Sequence, residues 1–154
     1  MLRLASLLGL LAFAPPVFAE MEPYDPSSVE VDVELLLLVD VSRSMTPNEL
    51  EIQRRGYAEA LVSSEVLKAI NSGMLGHVAV AYVEWAGVYS QRVVQDWAII
   101  RTQEDADAFA AAISAHVSPG MRRTSISSAL RSGAAYFRDN GFTGLRRVID
   151  ISGD

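Results

Sequence analysis

Leu35-Leu36-Leu37-Leu38-Val39-Asp40-Val41-Ser42-Arg43-Ser44 is the stretch on which the fold turns. Leu35 to Val39 is an uninterrupted apolar run of strand length bounded by acids. A strand with one wet face alternates, so an unbroken run predicts a strand covered by helices on both faces. The first core strand is therefore expected over Val31–Val41 (VDVELLLLVDV). Directly after the run comes a D-x-S-x-S sequence, Asp40, Ser42 and Ser44. It offers a carboxylate followed by hydroxyls two and four residues on, all of them hard oxygen donors that a folded-back loop can aim at one point. Magnesium suits such a set, because it prefers octahedral oxygen coordination at ~2.0–2.1 Å, takes few carboxylates and retains waters.

Downstream, Thr46-Pro47-Asn48-Glu49 has capping-box spacing with proline at the first helical position, which predicts a helix from there to about Ser63. Leu50, Tyr57 and Leu61 form its apolar side, and a second short helix is expected over Glu65–Ile70. His77–Ala86 (HVAVAYVEWA) reads as a second buried strand and Tyr89–Ile100 as a third, joined by a hairpin and so antiparallel at a sheet edge. Thr102 should cap an Ala-rich helix presenting Ala106, Phe109, Ala110, Ile113 and Val117 on one face, ended by Ser118-Pro119-Gly120. Thr124–Asn140 carries Ile126, Leu130, Ala134 and Phe137 at helical spacing, closed by Asn140-Gly141, and Arg146–Ser152 is a fourth strand. This order predicts a three-layer, doubly wound α/β domain whose sheet is mainly parallel, with one antiparallel edge strand.

Upstream, residues 1–19 form a secretory leader in pattern: Arg3 is the positive n-region, Leu4–Ala14 the apolar run, and Val17-Phe18-Ala19 the cleavage region. Eleven apolar residues cover only about half of a ~30 Å bilayer core, so cleavage and export to the periplasm or medium are expected, with no stable membrane anchor left behind. Residues 20–30 (EMEPYDPSSVE) are an extended lead-in, and the domain spans residues 31–154. With no cysteine, disulfides, lipidation, thiolate metal sites and thiol nucleophiles are excluded. A net charge of -6 sets nucleic acid and anionic lipid surfaces against electrostatic repulsion, so no nucleic-acid partner is expected.

With these elements in order, the sequence resembles the von Willebrand factor type A (VWA) fold with its metal-ion-dependent adhesion site, over about Val31 to Asp154. The resemblance implies that Ser42, Ser44 and Thr124, the last in Arg122-Arg123-Thr124-Ser125-Ile126-Ser127, are direct or water-bridged hydroxyl ligands. It also implies that Asp40 and Asp154, the latter in Ile151-Ser152-Gly153-Asp154, hold the charge; Gly153 departs from the usual spacing there. The implied cofactor is Mg2+, with Mn2+ as the alternative. One coordination position would be left for an acidic side chain of a protein partner, attracted by an incompletely neutralised cation. The phrases LLLLVDVSRSM, QRRGYAEAL, VAVAYVEWAG, TSISSAL and RRVIDISGD further resemble a family of exported bacterial VWA-like proteins whose function is not established. By that resemblance a complete domain adds roughly two strands after Asp154. The chain therefore reads as C-terminally truncated, and an exposed fourth-strand edge predicts self-association.

A binding module is the reading that follows, with a hydrolase or phosphatase-like enzyme on a similar sheet as the alternative. Against the enzyme stand Ser42 where an aspartyl-phosphate chemistry resembles D-x-D, and the lack of a G-x-S-x-G elbow or a glycine-rich phosphate loop. His77 and His116 are the only histidines. Asp150, inside an apolar strand and about 13 Å from Asp154 along it, is too far away for the same ion. It is expected to pair with an arginine or with His77, because a lone buried carboxylate is costly. Glu84 and Trp85 either border the ligand surface or are a strand-end acid beside a packed indole.

Overall fold

The computed structural model describes residues 25–117 and 120–153. The expected leader, most of the lead-in and Asp154 lie outside the described residues. Eight elements follow one another: β1 (Val29–Asp40), α1 (Pro47–Leu61), α2 (Ser64–Asn71), β2 (Val78–Trp85), β3 (Gln91–Ile100), α3 (Gln103–Ser114), α4 (Ile126–Tyr136) and β4 (Phe142–Ser152). They form one four-stranded sheet of order β3-β2-β1-β4. β1 pairs in parallel with β2 and with β4, and β2 pairs antiparallel with β3. The expected α/β architecture, with a buried first strand and an antiparallel edge, is what the chain adopts.

Alternate residues of β1 serve the two faces. Leu37 and Val39 pack with Val80, Tyr82, Leu61, Leu67, Phe109 and Ile113, a core made with α1, α2 and α3. Leu36 and Leu38 pack with Ala81, Val83, Trp85, Ala129 and Phe137 under α4. Both sides of the strand are therefore dry, which is why its sequence does not alternate.

Local signals set the helix starts. Thr46 and Glu49 close a reciprocal capping box on α1, and Thr102 and Asp105 do the same on α3. α4 departs from expectation. It begins at Ile126 behind Ser125, which makes no side-chain capping bond, and it ends at Tyr136, ahead of Asn140. Left-handed backbone occurs at Asp139 and at Gly141 (φ +53° and +81°). The face of α4 is also different: Ile126 and Leu130 are exposed, as is Ala134, while Ser128, Ala129, Gly133 and Phe137 are buried. A β-carbon on Gly133 would stand 2.8 Å from Leu38 Cδ1, so small residues let the helix lie close on the sheet and the larger apolar ones face outward. Val117, expected on the buried face of α3, lies past the helix end and is exposed.

Two polar clusters pin the N-terminal end of the sheet. Glu34, fully buried, accepts from Asn140 Nδ2 and the Gly144 N–H at 2.7 Å each and from Arg147 Nε at 3.2 Å. Asp32 accepts from the Leu75 and Gly76 N–H groups, and those backbone donors hold its carboxyl below the usual range. His77 spans the carbonyls of Leu75 and Glu30 at 2.8 Å each, and so is not the partner of Asp150. Asp150 is exposed, takes its hydrogen bond from the Tyr57 hydroxyl and has no arginine partner among the described residues. Among the described residues no helix is long and apolar enough to cross a membrane.

Candidate functional site

The three parallel strands end at one rim, where Asp40, Trp85 and Ser152 close β1, β2 and β4. β1 connects through α1 and α2 to a neighbour on one side, while α4 leads into a neighbour on the other. Such a divergence opens a crevice at the carboxyl ends of the strands, where α/β sheets bind ligands.

Asp40 is completely buried. Its Oδ1 accepts the Ser42 N–H at 2.7 Å, a local turn that fixes the loop, while its Oδ2 has no hydrogen-bond partner among the described residues. The indole Nε1 of Trp85, paired in register with Asp40, is likewise buried without a partner among the described residues. Ser42, buried, and Ser44 are hydrogen-bonded through their hydroxyls, with the oxygens 2.9 Å apart. That spacing fits a cation: neighbouring ligands of an octahedral ion with ~2.0–2.1 Å bonds lie about 2.9 Å apart. A buried carboxylate oxygen without a partner costs free energy unless a cation or a donor comes to it. Asp40, Ser42 and Ser44 are thus linked along one loop, the Ser42 N–H to the carboxylate and the Ser42 hydroxyl to that of Ser44, and all three carry hard oxygen atoms. No group of three or more His, Cys, Asp or Glu side chains placed to hold a metal occurs among the described residues, so any ion here depends on hydroxyls.

Neighbouring segments hold the loop in place. Met121 N–H donates to the Val41 carbonyl at 2.7 Å and pairs with Ser42 as an isolated parallel bridge. Gln53 Nε2 donates to the Asp40 carbonyl at 3.1 Å, and the Val41 N–H to that of Trp85 at 2.9 Å. The Met121 bridge carries Thr124 to within three residues of a segment that touches Ser42. Thr124 itself is exposed and makes no hydrogen bond among the described residues, so the structure brings its loop to the site without joining its side chain to the others. Asp154 lies outside the described residues, but Gly153 is adjacent: a β-carbon on it would stand 3.0 Å from Asp40 Oδ2 and 3.5 Å from the Trp85 ring.

Glu84 and Trp85 are both buried rather than lining an open surface. Glu84 binds Arg92, with Arg92 Nη2 at 2.7 Å, and His116 Nε2 stands 3.5 Å from the same oxygen. Sequence reading did not anticipate this cluster, nor the parts played by Gln53 and Met121. Arg92 is eight residues from Glu84 across a hairpin and could have been matched to it. Gln53 and Met121 act on backbone groups and leave no signal in residue type.

Two crystal structures align with part of this chain. The vWF domain of the type V pili tip protein Mfa5 from Porphyromonas gingivalis aligns with 79% of this chain and 37% of its own, at 14% identity and a TM-score of 0.47. A structure of three N-terminal domains of the same protein aligns with 79% of this chain and 19% of its own, at 18% identity and a TM-score of 0.45. This chain spans well under half the length of either. No curated protein matches the sequence. The sequence profile of the family described as "Protein of unknown function (DUF1194)" matches residues 30–154, and the chain belongs to that family.

Proposed function

We propose that this chain is an exported binding module of VWA type, in which a divalent cation, magnesium or manganese, sits on Asp40, Ser42 and Ser44. Thr124 and Asp154 complete the set, directly or through water. The cation's remaining position takes a carboxylate of a partner protein. The observation that carries this reading is Asp40 Oδ2: a buried carboxylate oxygen at the rim of the central strand, without a hydrogen-bond partner among the described residues, on the loop that carries the Ser42 and Ser44 hydroxyls. Hydroxyl ligands leave the ion's charge largely uncompensated, so it keeps its attraction for an anion.

Binding is favoured over catalysis by the surroundings of the serines. Activating a serine requires a base within hydrogen-bond reach. His77 is engaged with the carbonyls of Leu75 and Glu30, and His116 stands against Glu84. The leader pattern of residues 1–19 supports export.

Isothermal titration of the full chain with magnesium chloride tests the proposal. Heat of binding at a single site, lost in Asp40→Ala, is the expected result. Absence of both binding heat and any magnesium-dependent rise in melting temperature would overturn it.

A further inference from the structure

Beside the Asp40 rim, the turn joining β2 to β3 and the loop leading into α4 enclose a groove of about 450 Å³, lined by Gly87, Val88, Tyr89, Ser90, Arg122 and Arg123. Arg122 follows directly on Met121, which bridges to Ser42, so groove and cation site share one loop. Three features mark the groove. Its lining contains two arginines and no acid, in a chain whose net charge is -6. Both arginines are exposed and neither has an ion pair among the described residues. Tyr89 is 96% and Val88 49% exposed at the tip of the turn, where burial would be expected of such side chains.

Hydrogen bonds to backbone groups hold both walls. Ser90 N–H donates to Gly87 O at 3.0 Å, Ala86 N–H to Ser90 O at 2.9 Å, and Ser128 Oγ to Val88 O at 2.6 Å. On the other wall the Ser125 N–H donates to Ala86 O at 2.8 Å, and Arg123 adopts left-handed backbone at φ +70°. The two walls meet at Gly87, where a β-carbon would stand 3.0 Å from the Arg122 carbonyl. A backbone held in this way loses less conformational entropy on binding than a free loop does.

We propose that this groove receives an extended acidic segment of a partner protein. Acids beside the one that reaches the cation pair with Arg122 and Arg123, while Tyr89 and Val88 cover the backbone and apolar side chains between them. Guanidinium groups favour carboxylates through paired, charge-assisted hydrogen bonds. In a chain of net charge -6, two neighbouring arginines select a ligand with few negative charges, which fits a peptide segment and disfavours a nucleic-acid backbone. The inference rests on the proposed cation site only for the first carboxylate; the arginine contacts stand apart from it.

The test is fluorescence anisotropy of the full chain with a labelled peptide of repeating Glu-Gly, in magnesium and in EDTA. A Gln-Gly peptide and a single-stranded oligonucleotide serve as competitors. Saturable binding is expected, weakened about tenfold or more in Arg122→Gln/Arg123→Gln and several-fold in Tyr89→Ala, with unfolding midpoints unchanged because all three side chains are exposed. Binding that keeps its arginine dependence but ignores EDTA supports the groove and removes the cation. Binding that needs magnesium but is indifferent to both arginines overturns the groove and leaves the cation site standing. No binding, equal binding of the Gln-Gly peptide, or equal competition by the oligonucleotide also overturns it.

Discussion

The phenol of Tyr57 donates to Asp150 Oδ2 at 2.8 Å, tying α1 to β4 across the sheet face that also carries Tyr82. Its ring meets Tyr82 edge-on with centroids 5.7 Å apart. Tyr57→Phe keeps the packing and loses the bond, so urea unfolding at neutral pH should show a loss of about 1 kcal/mol. Burial is the largest cause raising the Tyr57 phenol from 10.0 to about 12; the Asp150 contacts add to it and the Ser152 hydroxyl opposes it. A group with a raised folded-state pKa stabilises fully below its unfolded value, and that stability is lost as pH climbs from 10 towards 12. Tyr82 and Tyr136 shift upward too, chiefly by burial. Tyr57→Phe should therefore make the alkaline decline shallower without removing it, as measured by unfolding midpoints above pH 9.

Glu34 gathers three donors into a site with no exposure. Glu34→Ala strands the Gly144 N–H and separates Arg147 from its carboxylate, and should cost about 2–4 kcal/mol. Glu34→Gln keeps an acceptor and should cost less. Equal losses for the two variants in chemical denaturation would show that the charge, and not the hydrogen bonds, carries the contribution.

Gly144 lies where a β-carbon would come within 2.8 Å of the Arg146 carbonyl and 2.9 Å of the Glu34 N–H nitrogen, both backbone atoms. Backbone cannot swing aside as a side-chain tip can. Gly144→Ala is expected to destabilise by about 1–3 kcal/mol, seen as a lowered urea midpoint. A midpoint at or above that of the unaltered chain would show that β4 can shift on β1.

Asp40→Asn separates stability from binding. Replacing a buried carboxylate whose Oδ2 has no partner among the described residues should raise stability in EDTA by about 1 kcal/mol, while the magnesium-dependent rise in melting temperature disappears. A variant destabilised in EDTA would mean that the carboxylate is satisfied in the folded chain by something other than a cation.

What could be read in advance depended on how far apart the cooperating residues lie. β1, the capping box of α1 and the Thr102 cap of α3 were legible because each is written within about ten consecutive residues. The buried face of α4 was not, because Phe137 belongs equally to a stripe through Ile126, Leu130 and Ala134 and to one through Ala129 and Gly133. Periodicity cannot choose between them, and close packing on Leu36 and Leu38 chose the smaller set. Partners of Glu34 and Asp150 were invisible for a different reason, since 93 or more residues separate them. At the candidate site, Asp40, Ser42 and Ser44 were legible as a local pattern, whereas the Met121 bridge that brings the α4 loop to them is a backbone contact indifferent to residue type.

Gly153 bears on who can visit the rim. It contributes no functional group, yet any side chain at that position would press on the bare oxygen of Asp40 and lean over the indole beside it. Only a hydrogen atom fits between that backbone and the acid, so the smallest residue present is what lets the end of the last strand pass so tightly over a charge sealed inside the fold.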